Sequence, residues 1–168
     1  MRLFSNRHRL GTLLVMVALA VPAFAPVQAS TTTSTTTKTT TKEKSLYERL
    51  GKRKAITYVV NDFTTRISAD ARINTFFTAT FADPARLSKF KTNMVDQLCQ
   101  ASGGPYKYRG KDMKTAHHGM GITQANFDAM VENLTASLDK FKVSSADKTQ
   151  LLGVLEPMKS DIAAEGQN

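Results

Sequence analysis

Two adjacent histidines, His117 and His118, are the residues whose chemistry is most distinctive. They are the only histidines in the chain after residue 8, and methionines and phenylalanines occur on both sides of them. A neutral imidazole is a common metal ligand, and one histidine in an apolar helical pocket is a usual way to bind a haem iron. From the residues alone, either His117 or His118 could be the ligand. An ordinary surface histidine is the alternative.

Helical signals flank this histidine segment on both sides. Ser45-Leu-Tyr-Glu48 forms a capping box and predicts a short helix that ends near Gly51. Asp83 followed by Pro84 predicts a second helix start, because proline at a first-turn position loses little with its missing N–H. Thr123 predicts a third start. Apolar residues recur at helical spacing in three stretches: Ile56, Val59, Val60, Phe63 and Ile67; Leu87, Phe90, Met94 and Leu98; and Phe127, Met130, Val131, Leu134, Leu138 and Phe141.

The remaining segments complete an all-α prediction. Residues 74–77 read as a compact apolar corner, and residues 144–162 as a last helix bent or broken around Pro157. The histidine segment, between Gly104 and Thr123, is too short and too glycine-rich for a full core helix. No stretch alternates as a strand does. Two helical pairs with a loose segment between them predict a two-over-two helical sandwich.

The N-terminal residues predict an exported protein. Residues 1–29 combine a basic start, an apolar stretch and the small-x-small pattern of residues 27–29, so we expect signal cleavage near Ala29 and a periplasmic or secreted product. A membrane association follows only if this segment stays uncleaved. Residues 30–44 are rich in Ser, Thr and Lys and predict a flexible tether. The folded domain is then 45–164, with a short tail at 165–168.

The charge of the chain argues against a nucleic-acid partner, and its cysteine content excludes an internal disulfide. Removing the three signal arginines lowers the net charge from +9 to +6. Two basic clusters, at residues 52–54 and 107–111, favour a solvated surface over a nucleic-acid site, and export argues against nucleic acid further. Cys99 is the single cysteine, so no internal disulfide forms, and its apolar neighbours predict a buried structural thiol.

In their order and spacing, several short motifs together resemble the group I truncated haemoglobins. The resemblance covers Ser45 to about Ile162, essentially the whole predicted domain. The matching pieces are Leu46-Tyr-Glu-Arg-Leu-Gly51, Val59-Val-Asn-Asp-Phe63, Phe76-Phe77, Gly103-Gly-Pro-Tyr-Lys-Tyr108, Lys111-Asp-Met-Lys-Thr-Ala-His117, Gly119-Met-Gly-Ile-Thr123 and Phe127-Asp128.

This resemblance implies a truncated two-over-two globin fold around haem b, with His117 as the proximal ligand and the sixth iron position open for a diatomic gas. His118 should then point away. Phe77 aligns with the apolar corner that packs flat against the porphyrin. The other residues implied as cofactor-binding are Phe63, Phe76, Met113, Ile122, Phe127, Met130, Phe90 and Met94.

The distal side departs from the family pattern. Thr64 stands where group I members typically have a tyrosine, and Phe90, Asn93 and Met94 occupy the positions that usually supply polar groups. Gln97 follows one turn later. A shorter Thr64 leaves Asn93 or Gln97 as substitute hydrogen-bond donors. A thioether ligand from Met94, which favours electron transfer, is an alternative.

The leading functional hypothesis is reversible binding of O₂, NO or CO, which makes the protein a gas binder rather than an enzyme. Haem-dependent nitric oxide dioxygenation or peroxidase-like detoxification is the second hypothesis. Each needs an electron donor from outside, because no flavin or nicotinamide motif is present. The third is a haem-free helical interaction module displayed on the tether.

Overall fold

The computed structural model describes residues 43–163, so the predicted signal segment 1–29, all but two residues of the tether 30–44, and the tail 165–168 lie outside the described residues. The described part of the chain is helical and has no strand. Its α-helices are α1 Leu46–Arg49, α2 Lys52–Ala69, α3 Thr78–Phe81, α4 Pro84–Ala101, α5 Met113–His117, α6 Gln124–Lys140, α7 Ser145–Leu155 and α8 Lys159–Ile162; 3₁₀ turns span Asn74–Phe77 and Glu156–Met158.

Side-chain caps set the first residue of several helices. Ser45 and Glu48 form the predicted capping box: the Ser45 hydroxyl accepts the Glu48 N–H, and the Glu48 carboxylate accepts the Ser45 N–H. Asp83 accepts backbone N–H groups at the start of α4, and Thr123 does so at the start of α6. These caps satisfy N–H groups that have no partner within the helix. The helix starts predicted from the sequence are confirmed.

The core lies where α2 packs against both α4 and α6. Val60, Phe63 and Ile67 on α2 are at most 1% exposed, and each such side chain contributes about 1.5–3 kcal/mol by leaving water. Cys99 on α4 is fully buried, and burial raises the pKa of its thiol to about 11. The prediction of a buried structural cysteine is confirmed.

A carboxylate whose side chain is 11% exposed links α2 to α6. Asp62 accepts hydrogen bonds from Arg66 at 2.7 Å and from the fully buried Ser137 hydroxyl at 2.9 Å, and it pairs with Lys140. Burial alone raises the pKa of this carboxyl, but the hydrogen bonds from Lys140, Arg66 and Ser137 outweigh it and hold the pKa at about 2. The ion pair therefore stays formed at neutral pH.

The C-terminal helix breaks where the sequence predicts. α7 ends at Leu155, a 3₁₀ turn containing Pro157 follows, and α8 then packs against α5. α8 thereby lies beside the histidine segment. Within residues 43–163 no helix is both long enough and apolar enough to cross a membrane.

Candidate cofactor-binding site

A largely apolar cavity opens between α2, α4, α5, α6 and the C-terminal segment. Its volume of about 440 Å³ falls in the range of about 300–1,000 Å³ that small-molecule sites occupy. It is far larger than the other described cavity, of about 10 Å³, in the apolar core near Leu50. The polar side chains in its lining are few: Thr80, Asn93, Gln97, Tyr108, His117 and Asn126.

His117 is the imidazole in this lining, and one hydrogen bond selects the tautomer of its neutral ring. Its Nδ1 lies 2.8 Å from the carbonyl oxygen of Met113, one turn earlier on α5. A backbone carbonyl only accepts hydrogen bonds, so Nδ1 must carry the proton and donate it. In the neutral imidazole, the other ring nitrogen, Nε2, then carries the lone pair. This tautomer is the one that a metal-ligating histidine requires.

The short helix α5 positions His117. It begins at Asp112, whose carboxylate accepts the Thr115 N–H at 2.8 Å. That hydrogen bond lowers the pKa of Asp112. The helix ends at His117 because the chain then turns through Gly119 and Gly121, both with positive φ, a conformation that glycine adopts without strain. The prediction that this segment is too short for a core helix is confirmed.

His118 takes a different position from its neighbour. It follows the last residue of α5, its backbone is no longer helical, and its side chain is exposed. It does not belong to the cavity lining. Of the two histidines that the sequence left as candidates, His117 is therefore the one that lines the cavity.

The structure brings almost all the predicted wall residues together. Phe77 lies at the centre of an aromatic group, with its ring centroid 5.5 Å from that of Phe90 and 5.8 Å from that of Phe81. The predicted residues that line the cavity are Phe63, Phe76, Phe77, Phe90, Asn93, Met94, Gln97, Met113, His117, Ile122, Phe127 and Met130. Whether each of them touches a cofactor stays a prediction.

Thr64 is the exception and corrects the expected distal pocket. It does not line the cavity; its side chain is 4% exposed, and its hydroxyl donates to the Val60 carbonyl at 2.6 Å. A threonine on a helix readily makes this bond to the residue one turn earlier. Its hydroxyl is thereby already used and faces the backbone of α2.

Two of the polar side chains in the lining, Asn93 and Gln97, come from α4. Gln97 places its amide nitrogen 3.0 Å from the Met158 sulfur and 3.8 Å from the Met113 sulfur. Thioether sulfur is a weak acceptor, so this amide is available for a better partner. Asn93 lies one turn earlier in the same lining.

Sequence reasoning missed about half of the lining. Leu98, Val131 and Leu134 follow the helical periodicity and were identified only as core. Tyr108 lies on a loop, where no periodicity points inward. Met158 follows the helical spacing of the last predicted helix, but it lies beyond the break at Pro157 and was identified only as part of that helix. The complete set of missed residues is Ile73, Thr80, Leu98, Tyr108, Ala116, Met120, Asn126, Val131, Leu134, Leu155, Met158 and Ile162.

The fold agrees with that of known proteins. Residues 45–164 match the family described as bacterial-like globin, and the chain belongs to that family. It is similar to the group 1 truncated hemoglobin GlbN of Mycolicibacterium paratuberculosis, with 34% identity over 119 residues, 71% of this chain and 84% of that protein. It is also similar to the group 1 truncated hemoglobin of Tetrahymena pyriformis, with 35% identity over 71% of this chain and 94% of the relative.

Solved structures show the same architecture. The truncated hemoglobin of Tetrahymena pyriformis in the Fe(III) form matches with a TM-score of 0.65 and 32% identity, over 71% of this chain and 98% of that one. The 2/2 hemoglobin of Synechococcus, in the cyanomet state with covalently attached heme, matches with a TM-score of 0.64 and 31% identity over the same shares. The predicted truncated two-over-two globin fold is confirmed.

Proposed function

We propose that this protein binds haem b in the 440 Å³ cavity through Nε2 of His117 and then binds a diatomic gas reversibly. The hydrogen bond from His117 Nδ1 to the Met113 carbonyl carries the proposal, because in the neutral imidazole it leaves the lone pair on Nε2, on a side chain that lines the cavity. Family membership supports haem as the cofactor, and the relatives are named as hemoglobins.

The residues of the cavity suit this cofactor. Haem has a broad flat apolar face, and the lining offers phenylalanines, methionines and branched aliphatic side chains in the same space. When bound through one histidine, haem supplies an iron with an open position for a gas such as O₂, NO or CO. Burying so large an apolar surface also stabilises the fold.

The α4 residues of the lining define what a gas molecule meets. Phe90 and Met94 exclude water there, while Asn93 and Gln97 offer amide N–H donors. An N–H donor within hydrogen-bond distance of a polar diatomic molecule slows its release by several-fold, since one such bond contributes about 1 kcal/mol. Ligation by the Met94 thioether is the competing outcome, and it predicts a six-coordinate spectrum without added gas.

Haemin titration tests the ligand assignment. The purified protein, His117→Gly and the neighbouring control His118→Ala are each titrated with haemin, reduced, and exposed to CO while the Soret band is recorded. We expect tight uptake and a CO-induced shift in the parent and in His118→Ala. His117→Gly should lose the five-coordinate ferrous spectrum and recover it on addition of imidazole, because free imidazole then occupies the vacated space.

The alternatives give different spectra. If His118→Ala lost the ferrous spectrum and His117→Gly kept it, the assignment to His117 would be wrong. If no variant took up haemin stoichiometrically, the haem-free interaction module would replace the gas binder. A parent spectrum that is six-coordinate before gas is added, and becomes five-coordinate in Met94→Leu, would favour electron transfer.

We also propose that the protein is exported and that cleavage occurs near Ala29. The basic start, apolar stretch and small-x-small pattern of residues 1–29 support this. N-terminal sequencing of the protein recovered outside the cytoplasm tests it. A sequence that begins near Ser30 agrees with the proposal, and retention of Met1 in a membrane fraction contradicts it.

A further inference from the structure

We propose that the loop of residues 106–112, here called the basic loop, together with Lys114 is the docking surface for an acidic redox protein that delivers one electron to the bound cofactor. The inference rests on the proposed function and identifies the class of electron donor that this function requires. Reversible O₂ binding requires ferrous haem iron, and the sequence contains no flavin or nicotinamide motif that could reduce it.

The charge of this surface is unbalanced. Lys107, Arg109, Lys111 and Lys114 are exposed, and Asp112 is the only carboxylate between residues 103 and 123. None of the four cations forms an ion pair within the described part of the chain. Asp112 caps α5 and offers little compensation, although Lys111 lies near enough to help lower its pKa.

Arg109 differs from every other described arginine in this respect. The five other arginines within residues 43–163 each pair with a carboxylate, whereas Arg109 does not. The paired residues are Arg49, Arg53, Arg66, Arg72 and Arg86. Their charges are used within the fold. The charge of Arg109 is free to act on a molecule outside it.

The basic loop adjoins the cofactor cavity directly. Tyr108, between Lys107 and Arg109, lines the cavity, and so do Met113 and His117 just beyond the loop. A partner held by these cations therefore lies next to the cavity wall. Electron transfer between proteins requires this proximity, because its rate falls steeply with distance.

The loop holds its shape without its cationic side chains. The Tyr108 hydroxyl donates to the Lys111 carbonyl at 2.8 Å, and the Tyr108 N–H donates to the Gln100 side chain at 2.8 Å. Gly110 allows the ring to pack closely: a Cβ there would lie 2.1 Å from the Tyr108 hydroxyl oxygen. A preorganised surface loses little entropy when a partner docks, and charge substitutions leave these bonds in place.

The reaction at this surface is a one-electron transfer. The reduced flavin or iron–sulfur group of the partner loses one electron, the ferric iron gains it, and no bond or proton moves. Complementary charge accelerates such encounters by about 10- to 1,000-fold at low salt. An acidic surface on the partner matches the net charge of +3 between residues 103 and 123, counted with neutral histidines.

Reduction by flavodoxin, an acidic flavoprotein, serves as the test. The haem-loaded protein is mixed with reduced flavodoxin under CO, and the rate at which the CO complex appears is measured by stopped flow. We expect the variant K107E/R109E/K111E to react about ten-fold more slowly at low salt. The difference should shrink as salt rises, because screening shortens the range of the charges to about 8 Å at 0.15 M.

A matched control separates local from general charge effects. K44E/K54E/K142E makes the same change in net charge at exposed lysines that form no ion pair among the described residues. It should slow the reaction by less than about two-fold, because these charges act only through the net charge of the molecule. Equal slowing in both variants would show that no docking surface exists on the basic loop.

Two further outcomes also overturn the proposal. If the loop variant lost haemin affinity but each bound haem was reduced at the parent rate, the cations would serve the cofactor and not a partner. If it lost only binding to phosphatidylglycerol vesicles, the surface would be a membrane contact. Calorimetric titration of the haem-free protein with oxidised flavodoxin reports docking independently, so failure of haem ligation and failure of docking remain distinguishable.

Discussion

The helical core and the histidine segment hold their shapes in opposite ways. α2, α4 and α6 have 17 or 18 residues each, and all three have several fully or nearly buried side chains. α5 has five residues, and none of them is buried. The core is held by packing between long helices. α5 is held by one aspartate cap, by a glycine-containing turn at its end and by its contact with the short helix α8.

This difference separates stability from ligation. A side chain in the core affects the free energy of unfolding and reaches the cavity only indirectly. A group on α5 affects the orientation of His117 but contributes little buried surface. The four predictions below test that separation, from the largest expected effect to the smallest.

Removing a core side chain away from the cavity should lower stability without changing ligation. Ile67 is fully buried on α2 and does not line the cavity. We expect Ile67→Ala to lower the free energy of unfolding by about 2–5 kcal/mol, because the side chains around the void left by the missing atoms lose their packing contacts. Urea unfolding of the haem-free protein measures this, and the ferrous CO spectrum of the loaded variant should match the parent.

Met120→Ala is the matching control in the histidine segment. Met120 lines the cavity but is 36% exposed, so its truncation should cost less than about 1 kcal/mol. If Met120→Ala destabilised the haem-free protein as much as Ile67→Ala, the histidine segment would belong to the cooperative core, and the separation would fail.

Acid should weaken the core through Asp62. Its folded pKa of about 2 lies below the ordinary value of 3.8, so the unfolded chain binds the proton first as pH falls. The stabilisation is complete above about pH 4 and is lost as pH falls through about 2. We expect Asp62→Asn to be less stable than the parent at pH 6, and the gap to narrow by pH 2.5.

Thermal unfolding of the two proteins across this pH range supplies the measurement. The expected cost at pH 6 is about 1–3 kcal/mol, because Lys140, Arg66 and Ser137 keep only weaker partners. A gap that stays constant from pH 6 to pH 2.5 would show that the charge of Asp62 contributes nothing.

The sequence predicts the core better than the site for a physical reason. Caps and apolar spacing are local signals, so Ser45, Asp83 and Thr123 mark helix starts that the structure confirms. The break near Pro157 is equally local, because proline cannot donate the hydrogen bond that continues the helix. Each of these features depends on residues within one or two turns.

The walls of the site depend on tertiary packing. Met158 reaches Gln97 only because α8 folds against α5, and nothing in the local sequence at Met158 encodes that contact. Thr64 stays outside the lining for a related reason: motif alignment gives a position along α2 but not the hydrogen bond to Val60 that the hydroxyl makes. Tyr108 reaches the cavity from a loop, where periodicity carries no information.

Two equivalent caps should have different consequences in the two regions. Asp83 caps the long helix α4, and Asp112 caps α5. Asp83→Ala should lower the free energy of unfolding by about 1 kcal/mol. Asp112→Ala should change unfolding less, because α5 has only five residues to lose, but should weaken haemin binding by about three- to ten-fold.

Urea unfolding and haemin titration of both variants check this pair. The informative result is a crossed pattern, with stability affected in one variant and haemin affinity in the other. If Asp112→Ala left haemin affinity unchanged, the cap would not be what orients His117, and the bond to the Met113 carbonyl would suffice alone.

The smallest effect concerns the amide donors on α4. Gln97 now donates only to two sulfur atoms, and Asn93 lies one turn nearer the start of the same helix. Substitution by leucine removes the donor and keeps a similar size. If an amide donates to bound O₂, the substitution that removes it should speed O₂ release by about three- to ten-fold and leave CO release nearly unchanged, because O₂ is the more polar ligand.

Laser photolysis of both gas complexes distinguishes Asn93→Leu from Gln97→Leu. Unchanged O₂ release in both would mean that neither amide donates to the bound gas, and that the α4 residues of the lining act by excluding water alone.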